Sequence, residues 1–408
     1  MNAMLQDHPE TVRELVARAA ALRPLLREEQ AATEANGFPT RRVYDAIVAA
    51  ELFNILTPKR FGGYELNLDD FYRVVIEIAR GCPETGWWFA LGTGHSAQIA
   101  SYFDERAQAE IFGFRRIFQA PWSFAAAKTQ AEKVDGGYRV SGTWYYCSGV
   151  PYASHFMGNI PLPKNADTTG TPMLTVVIPD GSFTRLDNWG DLLGMKGSGS
   201  HGVTVEDVFV PEHMTFSFDA DLGLTGPTLG YGVHRNPLYS GLFAAFAEGG
   251  LSAMSTGLAY AAIDEYEELV ATRNTPGRQT LRAYNPDYQR SLGMAVALAD
   301  SARAITLAGG ALYLENAALC ARGIEPFTVE KAMRMDGTYH TAERLAYEAV
   351  EILVRTASSA ALKQDGKLAR YMRDILMTIS RGHDQFEFRA AGIAQALLTR
   401  NRNFSFPA

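Results

Sequence analysis

A stretch of about a hundred residues with the pattern of β-strands lies between two stretches with the periodicity of α-helices. From Ile117 to Phe216 short β-branched runs, such as 174–178 and 203–210, alternate with turn dipeptides. On either side apolar residues recur at helical spacing. The sequence therefore predicts an N-terminal helical domain over residues 1–115, a central β domain over 116–222 and a C-terminal helical domain over 223–408.

Turn residues divide the two helical parts into separate elements. The first part predicts helices over 11–36 with a kink at Pro24, over 41–52, after a cap at Asp69 or Asp70, and over 87–102. The last part predicts long helices over 242–272, 287–322, 329–356 and 368–398. Helices of that length form a bundle with large apolar faces, which predicts contacts between subunits.

Charge and composition argue against several classes of protein. A net charge of −7, without any block of Lys and Arg, argues against a nucleic-acid partner. No signal peptide and no run of about 18 apolar residues is visible, so no membrane span is expected. The three cysteines, Cys82, Cys147 and Cys320, match neither a disulfide framework nor a zinc pattern, and we expect no metal site. The chain is expected to be cytoplasmic and reduced.

The segment Val134–Gly149 combines a turn signal with a dense aromatic run. Asp135-Gly136-Gly137 predicts a β-hairpin. On a two-residue period Trp144, Tyr146 and Ser148 face one side of the second arm, and Tyr145 and Cys147 face the other. Two interpretations follow: a sandwich strand with an aromatic core, or a surface whose polar tips contact a flat ligand.

A second unusual segment is the glycine-rich run Gly194–Gly202. Such a run can cradle phosphate, but it lacks the G-x-G-x-x-G spacing and the strand-then-helix setting of a dinucleotide site. Taken alone, it is better explained as a flexible crossing between strands.

The order of these parts and their punctuation resembles the acyl-CoA dehydrogenase superfamily over nearly the whole chain. The resemblance implies an α+β, acyl-CoA dehydrogenase-like fold: an N-terminal helical domain, a central β-sandwich or barrel and a C-terminal four-helix bundle. The motifs that carry it occur in the family's order, and they are Pro58–Gly63, Gly142–Gly149, Gly194–Ser200 leading to Val210-Pro211, Arg273, and Arg373-Asp374.

Within that superfamily the chain resembles the group D two-component flavin-dependent monooxygenases, of the 4-hydroxyphenylacetate and hydroxysteroid hydroxylase type. The segments concerned are Ala79–Trp87, Gly94-His95, Trp144 with Ser148-Gly149, and His234–Tyr239. Where the dehydrogenases carry a catalytic Glu before a Gly-Thr pair, this chain has Ser380-Arg381-Gly382-His383. A guanidinium cannot act as that base.

The resemblance implies the oxygenase component of a flavin-dependent monooxygenase. Reduced FAD or FMN, supplied by a separate flavin reductase, would bind between the β domain and the C-terminal helices and form a C4a-hydroperoxide with oxygen. The chain would then hydroxylate an aromatic or polycyclic small molecule, as a homotetramer. A dry pocket is needed for this chemistry, and the aromatic residues expected to wall it are Trp87, Trp88, Trp122, Trp144, Tyr145 and Tyr146.

By the same resemblance, Trp122, Ser123 and the pair Cys147-Ser148 should edge the flavin ring. Cys147 departs from the pattern because a hydroxyl residue is common there, and a thiol is a weak donor. Arg273 and Ser358-Ser359 should hold the pyrophosphate across a subunit interface.

His95 and His383, together with Ser148, are the catalytic candidates, because a histidine can hold or pass a proton near neutral pH. His155, His201, His234 and His340 are less favoured, although His201 could reach a substrate from its glycine-rich loop.

Two alternatives stay open at this stage. One is an acyl-CoA dehydrogenase or oxidase that uses Glu248, which lies near the second position known for the base, at Leu242. The other is a scaffold that keeps the fold without turnover. For a monooxygenase, the identity of the substrate, the choice between C-, N- and S-oxygenation and the choice between FAD and FMN also stay open.

Overall fold

A computed structural model describes residues 9–114, 117–163, 172–219, 223–381 and 386–402. In these ranges six helices are followed by eight strands and then by six further helices. The predicted order of helical, β and helical parts is therefore confirmed. The N-terminal helices are α1 (Pro9–Asn36), α2 (Arg41–Ala49), α3 (Leu68–Gly81), α4 (Pro83–Gly94), α5 (Ser96–Tyr102) and α6 (Glu105–Gly113).

The N-terminal helices differ from the prediction in two places. α3 begins at Leu68, so Asp69 and Asp70 lie inside its first turn and neither is the cap. The helix predicted over 87–102 is two helices, because α4 ends at Gly94 and α5 begins at Ser96. α4 also starts earlier than predicted, at Pro83, since proline fits the first position of a helix, where no hydrogen-bond donor is needed.

The eight strands form two sheets of four strands. One sheet has the order β1-β4-β5-β8 and the other β2-β3-β7-β6, and every pair is antiparallel except β1 with β4. The predicted hairpin is confirmed, because Val134 pairs with Gly137 across the turn. The strands are β1 (Trp122–Ser123), β2 (Ala126–Val134), β3 (Gly137–Trp144), β4 (His155–Pro161), β5 (Pro172–Pro179), β6 (Thr184–Arg185), β7 (Val203–Pro211) and β8 (Thr215–Asp219).

The alternation predicted for the second hairpin arm is wrong beyond Trp144. β3 ends at that residue, and Tyr146 has a left-handed backbone with φ of 56°. This backbone conformation breaks the alternation of side chains expected along a strand. Tyr145 and Tyr146 are therefore 41% and 65% exposed, while Cys147 is buried. The arm is thus a strand that turns into a loop with two aromatic rings facing outward.

The C-terminal helices surround α8, which is buried along most of its length. α8 packs against α3 closely enough that a Cβ at Gly257 would lie 2.5 Å from the carbonyl oxygen of Ile76. The helix predicted over 368–398 is wrong as one element, because α11 ends at Ile379 and α12 begins at Phe386. The helices are α7 (Leu229–His234), α8 (Ala247–Thr272), α9 (Pro286–Ala321), α10 (Val329–Ala357), α11 (Lys367–Ile379) and α12 (Phe386–Arg402).

α9 is the longest described helix, with 36 residues. By length and composition it is apolar enough to cross a membrane, although only 44% of the apolar window is buried in the chain, and buried helices of soluble proteins meet the same criterion. Its outward face carries Ala297, Ala304, Ala308 and Leu312. A largely apolar stripe of small side chains, interrupted by Asp300 and Ser301, is therefore left uncovered on the bundle.

Candidate functional site

The loop that follows β3 lies where the β domain meets the helices. The amide of Cys147 donates to the carbonyl oxygen of His201 at 3.0 Å, and the amide of Gly149 donates to that of Gly199 at 3.1 Å. On its other side the indole of Trp88 donates to the Gly149 carbonyl oxygen at 3.2 Å. The loop is thereby fixed between the glycine-rich run and α4.

The side chains of Ser123 and Cys147 lie on the buried side of this loop. The Ser123 hydroxyl donates to the carbonyl oxygen of Tyr145 at 2.6 Å and accepts from the amide of Ala125 at 3.1 Å. The Cys147 thiol is directed to the same Tyr145 oxygen, at 3.8 Å, and burial raises the pKa of this thiol to about 12. Since the single Ser123 proton is used inside the protein, Ser123 and Cys147 are poor donors to a ligand.

Ser148 has a different environment from its two neighbours. Its Oγ accepts from the indole Nε1 of Trp87 at 3.1 Å and lies 2.7 Å from the Oγ of Ser200. Ser200 in turn lies 2.8 Å from the Oγ of Ser198. A chain of three hydroxyl groups therefore leads from the glycine-rich run to the loop, a connection that no spacing in the sequence indicates.

The glycine-rich run is buried and held in place, so its interpretation as a flexible crossing is wrong. Glu84 on α4 accepts from the amide of Gly197 at 2.7 Å, and Asp374 on α11 accepts from the amide of Met195 at 2.7 Å. Burial raises the pKa of Glu84 well above its usual value and raises that of Asp374 to about 7, although the Met195 amide opposes the latter shift. Two helices thus clamp the run through buried carboxyl groups.

His95 lies between α4 and α5, close to Trp122. Its Nδ1 is 2.7 Å from the carbonyl oxygen of Ala120, and its ring packs edge-on against Trp122 at 5.8 Å and beside Phe243 at 6.4 Å. Since a carbonyl can only accept, Nδ1 carries the proton of the neutral ring and Nε2 offers a lone pair. Burial lowers the pKa of His95 to about 4 despite that hydrogen bond, so the expected titration near neutral pH is wrong.

The stability of the protein should depend on pH through His95. The folded state keeps the ring neutral down to about pH 4, whereas the unfolded state protonates it below about pH 6.5. The free energy of unfolding should therefore fall by up to about 3 kcal/mol as the pH drops from 6.5 to 4. His95→Asn keeps a donor for Ala120 but cannot titrate, and urea unfolding across this range should show a shallower loss. Equal slopes for both proteins would contradict the assignment.

Trp122 is oriented by Asn159 on β4. The indole Nε1 donates to the Asn159 Oδ1 at 2.9 Å, and the Thr175 hydroxyl donates to the same oxygen at 2.7 Å. The Trp122 ring packs against Phe243 at 4.2 Å and against Phe124 at 5.1 Å. Neither Asn159 nor Phe243 was expected from the sequence, because neither lies in a motif.

Arg381 lies in a buried cluster of charges between the bundle helices. Its guanidinium contacts Glu248 on α8 and Glu343 on α10, the latter at 3.0 Å, and it covers the ring of Trp87 at 5.7 Å. Burial alone would raise the pKa of Glu248, but Arg381 and His340 outweigh it and the pKa is lowered. Burial raises the pKa of Glu343 to about 7 although Arg381 opposes the shift.

The same cluster contains the ligand set of a possible metal site. Glu248, His340 and Glu343 offer ligand atoms within 4.8 Å of one another. The positive charge among these groups is already supplied by Arg381, which contacts both carboxylates. The cluster is therefore an ion-pair network of the protein itself. The catalytic candidate His383 lies outside the described residues.

Arg273, Ser358 and Ser359 are brought together at the opposite end of α8. The exposed Arg273 follows the last turn of this helix, and its carbonyl oxygen accepts from the amide of Arg282. Arg282, which no motif marks, donates to the Ala357 carbonyl oxygen at 2.8 Å and to the Ser358 Oγ at 3.3 Å. The 26 residues of α8 span about 39 Å, so this group is far from Ser148 within one chain.

The expected aromatic wall is only partly formed. Trp88 packs edge-on against Phe53 at 5.5 Å and Trp144 against Phe156 at 5.2 Å, and both are core residues. Trp87 and Trp122 are half-buried beside Ser148 and His95. The rings of Tyr145 and Phe124 are exposed, and the amide of Tyr145 donates to the carbonyl oxygen of Ala125, next to Phe124. The surface that these two rings form with Trp87, Trp122 and Ser148 is termed the ledge. The exposed ring of Tyr146 instead packs edge-on against Trp189, at 5.9 Å.

Two clefts lie on the other side of the glycine-rich run. They have volumes of about 650 and 580 Å³ and share Glu34 and Lys196 as lining residues. His201 lines the smaller cleft, and burial lowers the pKa of its ring. Neither cleft is lined by Ser148, Ser123 or His95, so the residues predicted to edge the flavin lie outside both clefts.

A flavin ring needs flat apolar surface along one face, which the exposed rings of Tyr145 and Phe124 supply at the ledge. The polar edge of the ring needs donors, and the Ser148 hydroxyl lies at the ledge. The amide of Tyr146 has no acceptor in the described part of the chain. The aromatic rings and the hydroxyl donor of the ledge thus match the apolar face and the polar edge of a flavin.

The sequence matches the acyl-CoA dehydrogenase N-terminal domain over residues 6–112 and the C-terminal domain over 250–387. It is 31% identical to the oxygenase subunit HsaA of a flavin-dependent monooxygenase from Rhodococcus jostii, over 88% of this chain and 91% of that one. It is 29% identical to the oxygenase component of an FADH2-dependent resorcinol hydroxylase from a Rhizobium species, over 88% of both chains.

The fold matches the crystal structure of 3-HSA hydroxylase from Rhodococcus sp. RHA1 with a TM-score of 0.82 and 25% identity, over 97% of this chain and 98% of that one. Together with the helical, sheet and helical order, these matches show that the chain belongs to the acyl-CoA dehydrogenase superfamily, among the oxygenase components of two-component flavin-dependent monooxygenases.

Proposed function

We propose that the chain is the oxygenase component of a two-component flavin-dependent monooxygenase that hydroxylates an aromatic small molecule. Its relatives include an HsaA oxygenase subunit and a resorcinol hydroxylase. The observation that carries the proposal is Ser148, whose hydroxyl lies on an aromatic ledge beside the Ser123 and His95 group. Reduced flavin supplies the electrons and, with oxygen, the reactive oxygen atom.

The side chains of the ledge have separate tasks in this function. Ser148 donates a hydrogen bond to the polar edge of the flavin, while the packed rings of Trp122 and Phe243 keep water from the reacting atoms. His95, neutral at working pH, accepts a hydrogen bond from the hydroxyl of a phenol-like substrate at Nε2. With a pKa of about 4 it orients that hydroxyl and does not remove its proton.

The contacts of Glu248 disfavour the dehydrogenase alternative. A base that removes an α-proton needs a free carboxylate with a raised pKa. Glu248 is ion-paired with Arg381, and its pKa is lowered. Glu248 therefore pairs with Arg381 in the bundle and does not act as the base.

The separation of the two binding groups supports a flavin site shared between subunits, in a homotetramer. Arg273, Ser358 and Ser359 lie at the far end of a helix about 39 Å long, beyond the reach of a flavin bound at Ser148 of the same chain. A partner chain would bring its own Arg273 group to the ledge, with the guanidinium on the pyrophosphate. The uncovered apolar stripe of α9 supports such an association.

The assignment is tested with reduced flavin alone, so the substrate need not be known. Purified chain is titrated with photoreduced FAD and with FMN without oxygen, then mixed with oxygen while absorbance and hydrogen peroxide are recorded. We expect saturable binding and release of hydrogen peroxide more slowly than from free reduced flavin. A panel of phenols with a flavin reductase should then yield hydroxylated product. Absence of any flavin binding would reject the function and leave the scaffold alternative.

Ser148→Ala should weaken the coupling of flavin oxidation to product formation. Removing one donor from the ledge should raise hydrogen peroxide release by about tenfold, the effect of one hydrogen bond to a charged or strongly polar group. The control Ser252→Ala removes a hydroxyl that pairs with Thr306 at 2.6 Å between α8 and α9. Identical peroxide release from wild type and Ser148→Ala would show that Ser148 does not contact the flavin.

We also propose a cytoplasmic location. The cysteines Cys82, Cys147 and Cys320 are all free and buried, which suits a reducing compartment. Cell fractionation with antibody detection would test it, and recovery from a membrane or exported fraction would contradict it.

A further inference from the structure

The hydroxyl chain of Ser198, Ser200 and Ser148 has an unusual environment for three polar groups. The side chains are buried, with exposed fractions of 1%, 4% and 6% respectively. Their oxygens follow one another at 2.8 and 2.7 Å, and only the last oxygen receives a further partner, the indole of Trp87. The number of protons and lone pairs on these three hydroxyl groups restricts which oxygen donates to which.

Each hydroxyl has one proton and two lone pairs, whereas an indole N–H can only donate. Trp87 therefore occupies one lone pair of Ser148. Two arrangements of the three hydroxyl protons remain. Either the protons run inward, from Ser148 to Ser200 to Ser198, or they run outward, from Ser198 to Ser200 to Ser148.

The inward arrangement leaves the proton of Ser198 without an acceptor. In the described part of the chain Ser198 Oγ has no hydrogen-bond partner besides Ser200, and no carboxylate oxygen lies within hydrogen-bond distance of it. A buried donor without an acceptor is costly. In the outward arrangement every inner proton is used, and the only free proton is that of Ser148, at the ledge. The structure therefore favours the outward direction.

We propose that Ser198 and Ser200 are positioning residues that make the Ser148 hydroxyl a donor into the ledge. Two donors, Trp87 and Ser200, fill both lone pairs of Ser148 and so aim its remaining O–H bond outward. Hydrogen bonds in a chain also polarise one another, which strengthens the last donor. The inference rests on the proposed function, in which Ser148 contacts the polar edge of the flavin.

The backbone of the glycine-rich run holds the three hydroxyl groups in place before any ligand binds. Met195 and Gly199 have left-handed φ values of 54° and 62° on either side of the short turn Lys196–Ser198. The carboxyl groups of Glu84 and Asp374 and the carbonyl oxygen of Gly37 accept from the amides of Gly197, Met195 and Gly199, at 2.7, 2.7 and 2.8 Å. The donors are thus fixed in advance, as electrostatic stabilisation requires.

The test compares Ser148→Ala, Ser200→Ala and the double variant, with Ser252→Ala as the control. The first measurement is the visible absorption band of bound oxidised FMN, which shifts when a donor to the ring is lost. The second is hydrogen peroxide release from reduced FMN and oxygen. We expect Ser200→Ala to shift the band in the direction of Ser148→Ala and to raise peroxide release by about fivefold, the effect of one hydrogen bond.

The double variant separates positioning from a purely structural role. If Ser200 acts through Ser148, adding Ser200→Ala to Ser148→Ala should change neither measurement further. An effect of Ser200→Ala that is equally large in both backgrounds would overturn the proposal, as would a band unaltered by Ser200→Ala. A wild type that binds no FMN would instead reject the proposed function, so the two failures are distinguishable.

Discussion

Replacing Arg381 with Met should lower the free energy of unfolding by about 3–5 kcal/mol, the loss found when one partner of a buried ion pair is removed. Without the guanidinium, Glu248 and Glu343 remain buried and close enough to repel each other when both are ionised. Methionine keeps much of the volume but none of the hydrogen bonds. Urea unfolding at pH 8, followed by circular dichroism, would measure the change.

The stability deficit of Arg381→Met, which is its loss of unfolding free energy relative to wild type, should depend on pH. Without the guanidinium the folded pKa values of the two carboxyl groups rise above their unfolded value of about 4.5. Ionisation then disfavours the folded state increasingly as pH rises through that range, so the deficit should be largest at pH 8 and smallest near pH 5.

A matched control is Arg355→Met on α10, whose partner Glu351 lies 3.9 Å away at an exposed position. It should change stability by less than about 0.5 kcal/mol. An equally small effect for Arg381→Met would contradict the buried network.

Gly194→Ala should lower the free energy of unfolding by about 2–5 kcal/mol and also disrupt the site. A Cβ at this position would lie 2.4 Å from the backbone carbonyl carbon and oxygen of Arg373 on α11. Because backbone atoms cannot rotate away, the loop must separate from the helix. That movement breaks the hydrogen bond from Met195 to Asp374 and displaces the hydroxyl chain.

Hydrogen exchange read by mass spectrometry would locate this damage, with lost protection in residues 195–200 and weaker FMN binding. The control is Gly293→Ala in α9, where nothing lies within 4 Å of the added Cβ. This helix should gain about 0.5–1 kcal/mol, since alanine is the better helix former. Unchanged protection of residues 195–200 in Gly194→Ala would rule out the close contact with α11.

Much of the fold follows from periodicity alone. The hairpin at Asp135-Gly136 and the long helices α9 and α10 lie within a few residues of their predicted positions, because turn chemistry and apolar spacing are local signals. The two helices that were predicted as continuous but are broken, at His95 and after Ile379, end for reasons outside their own segments. His95 is bonded to Ala120 and Arg381 to α8 and α10, contacts that no local pattern contains.

The site was predictable only where a family motif marks it. Ser123, Cys147, Ser148, Trp122 and His95 lie together, as the resemblance implied, while their roles stay predictions. The left-handed backbone of Tyr146 could not be predicted, since nothing in an aromatic residue favours it. The partners that orient the site, such as Ser200, come from distant segments, and chain spacing carries no information about such pairs.

The burial of the thiols has a consequence for the working life of this catalyst. Any oxidase-like leak at the ledge generates hydrogen peroxide within the protein's own surroundings, and peroxide attacks thiolates. Burial raises the pKa of both Cys82 and Cys147 to about 12, and Cys320 is also buried. With little thiolate present and the sulfur atoms buried, oxidation of these thiols to sulfenic acid should be slow. Burial of the cysteines thus protects an imperfectly coupled enzyme from its own by-product.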